Sequence, residues 1–416
     1  MTPELIFILI VTFLTISFLL DQYLDYLNYQ NRKQPIPDEL TDVYNDQGYA
    51  RQQQYKMANT RFGFISGTIG FIALLTFLLA GGLPFLDALV RQITVHPVAM
   101  ALIFFGILML ASDIITTPFD IYQTFVIEER FGFNKTTLRL FLVDKIKGWL
   151  LGALIGGGLL AAIIALYQLD PYNFWIYALL VITGFGLLMN LFYSSLIVPL
   201  FNKQTPLPDG DLRGAIMIFA EKAKFRMKNI FVIDGSKRST KANAYFAGIG
   251  SKKRIVLYDT LINDMDINEV VAVLAHEIGH YKRRHIWKGL FFSTLQTGIT
   301  LFIFSIFIGS PILSAALGIE NHSFHIGLIA FGMIYSPISA LIGIIAKLYS
   351  RGAEFHADRF AKEYGLDKEL ISALKKLTRK NLSNLTPHPV YVFFNYSHPT
   401  LLQRIRAIKS SGGSQG

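Results

Sequence analysis

The chain has 416 residues, of which 52% are hydrophobic and only 16% charged, with a mean hydropathy of +0.40 and no cysteine. A freely soluble globular protein of this length carries more charge, so the composition excludes one and predicts a membrane protein. The missing cysteines exclude disulfides, thiolate metal sites and a cysteine nucleophile. The net charge of +10 calls for no nucleic acid, because no basic stretch is interleaved with aromatics in a way that suits base stacking.

Apolar runs of roughly 18 or more residues can cross a bilayer as helices. They occupy 4–24, 62–86, 97–117, 148–168, 174–200, 289–317 and 323–348, which predicts seven spans. The first run lacks a basic start and a small-residue cleavage site, so it reads as a retained span. Lysines and arginines then set the orientation. Residues 25–61 hold five, 118–147 five, 201–288 sixteen and 347–416 twelve, against Arg91 alone elsewhere. Basic loops stay on the cytoplasmic side, so the N-terminus is expected outside and the C-terminus inside. Asp113 and Asn190 sit in otherwise apolar spans, where they would line a wet cavity or pair between helices. Gly152 and Gly156 suggest a close helix contact.

The chain divides into 1–200, with five spans, a polar block at 201–288, two further spans at 289–348, a second polar block at 349–409 and a polar tail, 410–416, expected to be disordered. In the first block, residues 209–228 show helical spacing, and Ile230-Phe231-Val232-Ile233 reads as a strand. Asn243–Ala247 and Arg254–Tyr258 flank the glycines of 248–253 as a β-hairpin. Asp266 and Glu269 form a capping-box pattern that opens a further helix. That helix is expected to run unbroken into the sixth span, because polarity falls after Lys288.

On it lies His276-Glu277-Ile278-Gly279-His280, an H-E-x-x-H pentad. Histidines four positions apart sit about 40° from each other around a helix, so both imidazoles can reach one Zn²⁺. Glu277 then stands beside a metal-activated water as general base. The second polar block supplies Glu354 as third ligand and Asp358, one turn on, as hydrogen-bond acceptor for a ligand histidine. His285 belongs to a basic stretch and is expected to be solvated or to face headgroups. His356, about 200° round its helix from Glu354, is not expected to share the metal. A metal transporter would place ligands near mid-bilayer on several spans, and an inactive scaffold would be expected to lose Glu277. Both are weaker readings than a zinc peptidase.

Further strings extend the pattern: Thr124–Glu129 before Gly132-Phe133-Asn134, Pro199–Lys203 before Thr205–Pro208, Asn243-Ala244-Tyr245-Phe246, Arg254–Leu261, Glu354–Asp358 and Ser397-His398-Pro399. With the seven spans, they resemble the integral-membrane type 1 CaaX prenyl proteases, the a-factor-converting zinc metalloproteases. The resemblance implies a mainly α, polytopic fold in which seven helices enclose a chamber and a gluzincin-like peptidase carries a small β-sheet. It implies one Zn²⁺ per chain on His276, His280 and Glu354, with Glu277 as base and His398 as donor to the oxyanion. Asn243 and Ala244 would pair with an extended, prenylated or membrane-associated peptide, and Arg404 would meet a substrate carboxylate. The expected setting is a prokaryotic plasma membrane, with the endoplasmic reticulum as the alternative. Removal of damaged membrane proteins by the same chemistry is the alternative activity.

Overall fold

The computed structural model describes residues 2–225, 229–247 and 254–410, so the expected hairpin turn at 248–253 and the polar tail from 411 lie outside it. Helix α1 (Pro3–Gln30) is followed by α2 (Asp46–Leu79), a short α3 (Gly82–Ile93) and α4 (Pro97–Tyr122), which continues through a π-helical turn, Gln123–Glu128. Helices α5 (Leu138–Leu151) and α6 (Gly158–Leu169) form one span through a second π turn, and α7 (Phe174–Phe192) leads into α8 (Val198–Phe201). After strand β1 (Gln204–Pro206) come α9 (Asp211–Lys222), β2 (Asn229–Ile233), β3 (Ala244–Ala247), β4 (Arg254–Tyr258), α10 (Asp259–Asp264) and α11 (Ile267–Lys282). Helix α12 (His285–Phe307), a short α13 (Pro311–Ala316), the long α14 (Phe324–Glu363), α15 (Asp367–Lys380), α16 (Pro389–Asn395) and α17 (Leu401–Ser410) complete the chain.

Seven helical stretches among the described residues are long and apolar enough to cross a membrane, as expected. Two end earlier than hydropathy suggests. The second stops at Leu79, because Gly81 adopts a left-handed conformation and restarts the chain as α3. The sixth stops at Phe307, and Pro311 opens α13. Both extra helices are apolar, so hydropathy alone cannot separate them from the spans they follow. Gly152 and Gly156 make no tight helix contact. They lie in the second π turn, where a Cβ on Gly156 would meet nothing within 4 Å.

The spans form a closed ring. Helix α1 touches α2, α2 touches the π turn of α4, α4 meets α6, α6 meets α7, α7 meets α12, α12 meets α14, and α14 returns to α1. Only 6–17% of the residues in each span's most apolar stretch are buried. A solid bundle would hide a whole stripe of every helix, so this ring is hollow, with each helix facing lipid on one side and an internal chamber on the other.

The polar blocks join under one core. Ile216 and Phe219 of α9, Ile255 and Leu257 of β4, Leu274 and Ile278 of α11, Phe360 of α14 and Leu370 of α15 are buried together. The sheet has the order β1-β2-β4-β3, with β2 and β4 parallel and both outer pairings antiparallel. The β3–β4 pairing matches the expected hairpin arms. Strand β1 has no counterpart among the sequence expectations, being three residues long and ending in a proline, which an edge strand tolerates.

Candidate metal centre and active site

Helix α11 begins where Asp266 and Glu269 cap it reciprocally. The Glu269 carboxylate also accepts from Ser372 Oγ at 2.6 Å and Lys376 Nζ at 2.7 Å, which fastens the helix start to α15. At the other end of the helix, Gly279 lies under α14. A Cβ there would stand 3.0 Å from both Ala357 Cα and Phe360 Cβ, so only glycine allows the two helices this close. That approach brings Glu354 of α14 onto the two histidines of α11.

Nε2 of His280 lies 3.2 Å from Nε2 of His276 and 3.2 Å from Glu354 Oε1, and His276 Nε2 lies 3.4 Å from Glu354 Oε2. Ligands about 2.0–2.1 Å from a tetrahedral Zn²⁺ stand about 3.3–3.4 Å apart, so this triangle has the edge lengths of three corners of such a site. Among the described residues these three form the group whose donor atoms converge within 4.8 Å. Their outer partners orient them further. His276 Nδ1 donates to Asp358 Oδ1 at 2.8 Å, and Arg404 holds that carboxylate with both Nε (2.8 Å) and Nη2 (2.6 Å).

One expectation fails. Helix α11 does not continue into the sixth span. The chain breaks at Arg283-Arg284, where Arg284 adopts a left-handed φ of 58°, unusual for a residue with a side chain. The break turns His285 back onto the site. It is buried rather than solvated, its Nδ1 lies 3.0 Å from His280 Nδ1, and its other face stacks on His356. Sequence reasoning missed this residue because nothing in Lys282-Arg283-Arg284 marks a helix break. His356 stays off the ligand triangle, as its position on the helix suggested.

Glu277 faces the same cavity, of about 300 Å³, which is also lined by Asn243, Ala244, His398 and Arg404. Burial pushes its carboxyl above the usual range, while the neighbouring imidazoles pull the other way. Exposed His398 stands at the mouth, its Nε2 3.4 Å from Glu354 Oε1 and its Nδ1 2.9 Å from Ser397 Oγ. Asn243 and Ala244 lie at β3, an outer strand of the sheet that touches α11. Arg404 has two of its three guanidinium nitrogens on Asp358, and Nη1 is 3.6 Å from Glu354 Oε2. Asp113 pairs between helices, with both its oxygens on Lys145 of α5, and Asn190 is exposed.

Residues 25–203 match the family model for the CAAX prenyl protease N-terminal region with five membrane helices, and residues 206–411 match Peptidase family M48. A curated CAAX prenyl protease 1 homolog from Arabidopsis thaliana is 37% identical over 412 residues, covering 96% of both chains. CAAX prenyl protease 1 from Saccharomyces cerevisiae is 33% identical, covering 98% of this chain and 96% of its own. The chain belongs to the M48 family of CAAX prenyl proteases. The crystal structure of S. mikatae Ste24p superposes with a TM-score of 0.91 at 34% identity, over 97% of this chain and 98% of that one. A member of the M48 family with seven membrane helices is a multi-pass membrane metalloprotease whose substrates are peptides.

Proposed function

We propose that this protein is a zinc endopeptidase that cuts prenylated CaaX proteins near their C-terminus, from the cytoplasmic mouth of its membrane ring. The observation that carries the reading is the His276–His280–Glu354 triangle with Glu277 beside it, set next to an outer sheet strand at the end of a hollow ring of spans. The basic loops on the same side as this site support a cytoplasmic active centre, with the N-terminus outside.

His276, His280 and Glu354 would hold the Zn²⁺, leaving the fourth position open, and when bound it supplies a Lewis acid for the scissile carbonyl and acidifies the attacking water. Glu277 takes that water's proton and returns it to the leaving amine. An extended substrate adds to the free edge of β3 at Asn243 and Ala244, where main-chain hydrogen bonds set its register without reading its side chains. His398 donates to the oxygen on which negative charge develops. Asp358, held by Arg404, keeps His276 in the tautomer that presents Nε2. A substrate carboxylate can reach Arg404 only at Nη1, since its other two nitrogens are engaged.

The deciding experiment is digestion of a farnesylated CaaX peptide by the detergent-purified protein, with products mapped by mass spectrometry. Release of the last three residues, abolished by zinc chelation and by Glu277→Gln, is the expected result. Cleavage of unfolded membrane segments but not of prenylated peptides would replace this substrate with damaged membrane proteins. No cleavage by metal-loaded protein would overturn the reading.

A further inference from the structure

The cytoplasmic halves of α2 and α4 are separated by a cleft of about 540 Å³ that plays no part in the chemistry above. Its α2 wall is a single helical stripe that includes Arg61, Phe62 and Ile65, and its other wall includes Phe119, Tyr122 and Arg130. The Phe62 and Tyr122 rings stack at 5.4 Å where the two walls meet. Arg61 and Arg130 are both exposed, and neither meets a carboxylate among the described residues. Arg61 immediately precedes the apolar run of the second span, and Arg130 follows the third span, which ends at Glu128. The cleft therefore has two cations without a carboxylate partner at headgroup level, Arg130 lying over the Phe131 ring at 5.7 Å, and aromatic and aliphatic walls below them.

The other side of the same helices is engaged elsewhere. Tyr55 donates to Glu128, Asn59 accepts from Gln123 at 2.9 Å, and Glu128 pairs with Lys241 at 2.8 Å, just before the β3 strand. The stripe carrying Arg61 and Ile65 lies roughly 120° round α2 from Tyr55 and Asn59. The face toward the catalytic segments is thus occupied, and the cleft lies on a different face of α2 from those contacts.

We propose that this cleft opens to the bilayer and is a binding site for an anionic glycerophospholipid of the cytoplasmic leaflet. The phosphate bridges Arg61 and Arg130, and an acyl chain runs along Phe62, Ile65 and Phe119. Guanidinium groups suit a phosphate because they can donate two parallel hydrogen bonds to it, and basic pockets between spans on this side are where anionic headgroups collect. A zwitterionic lipid carries its own cation next to the phosphate and leaves both arginines less well satisfied.

The test uses delipidated full-length protein in detergent, titrated with phosphatidylglycerol or phosphatidylcholine, with bound lipid counted by native mass spectrometry and melting temperature followed in parallel. One phosphatidylglycerol is expected to bind at least tenfold more tightly than phosphatidylcholine and to raise the melting temperature, whereas inorganic phosphate alone does neither. Arg61→Gln with Arg130→Gln should abolish the preference, and Ile65→Trp, which keeps both arginines but crowds the acyl path, should lower occupancy. Peptide cleavage by both variants serves as the check that they fold. Equal uptake of the two lipids, full preference in the double variant, or displacement of the bound lipid by a prenylated peptide would each overturn the proposal.

Discussion

Nδ1 of His280 lies 3.0 Å from Nδ1 of His285, so one of the two nitrogens carries the shared proton and the other accepts it. If His280 gives its Nε2 lone pair to a metal, its Nδ1 holds the proton and His285 is the acceptor. The two histidines of the pentad are then oriented by unlike partners, a carboxylate behind His276 and a neutral ring behind His280. His285→Ala is expected to speed metal loss to a chelator by about 10–100-fold, the usual cost of removing a partner behind a ligand. His285→Asn, which keeps an acceptor, should recover part of it, and an unchanged release rate in the alanine variant would remove this role.

Glu277→Gln keeps the shape of the site and removes the proposed base. Metal content should stay at one equivalent while turnover falls by about 10²–10⁴-fold. His276→Ala and Glu354→Ala should instead lower metal content itself. Elemental analysis beside peptide kinetics separates the two classes.

Gly279→Ala tests the helix crossing. The added methyl meets the backbone of Ala357 at 3.0–3.1 Å, and backbone cannot move aside as a flexible side chain can. A loss of about 1–3 kcal/mol is expected from overpacking, together with weaker metal retention, because Glu354 sits one turn before the contact. Thermal melts with and without chelator would show both effects.

Glu269 gives a pH dependence. Burial raises its pKa, but Lys376, Ser372 and the Asp266 amide outweigh burial and hold it below the usual glutamate range. A depressed carboxyl contributes stability above its unfolded pKa and loses it as pH falls through the folded value. Glu269→Gln should therefore lower the melting temperature near neutral pH, by an amount equivalent to about 1–2 kcal/mol, and the gap to the natural protein should close below about pH 4. A gap that stayed constant as the pH was taken well below 4 would assign the effect to packing.

What was legible in the sequence was local. The spans, the capped helix, the pentad and the strands β2, β3 and β4 are each written in a short window of hydropathy or spacing, and Glu354-to-Asp358 declares itself by one helical turn. Span ends were harder, since α3 and α13 are as apolar as the spans before them and only the backbone at Gly81 and the turn before Pro311 divides them. His285 was hidden for a related reason: the left-handed Arg284 that redirects it leaves no compositional mark. The crossing at Gly279 and the closure of the ring depend on residues far apart in the chain, and no window contains both partners.

Helix α14 is forty residues long and serves two purposes, since its first part is the last wall of the ring and its final turns carry Glu354 and Asp358. During synthesis it is the last of the seven spans to emerge. A chain halted before it has both histidines and Glu277 but not Glu354, so the ligand set proposed above is incomplete until the ring is closed. On the reading proposed above, no half-built enclosure holds a complete metal site.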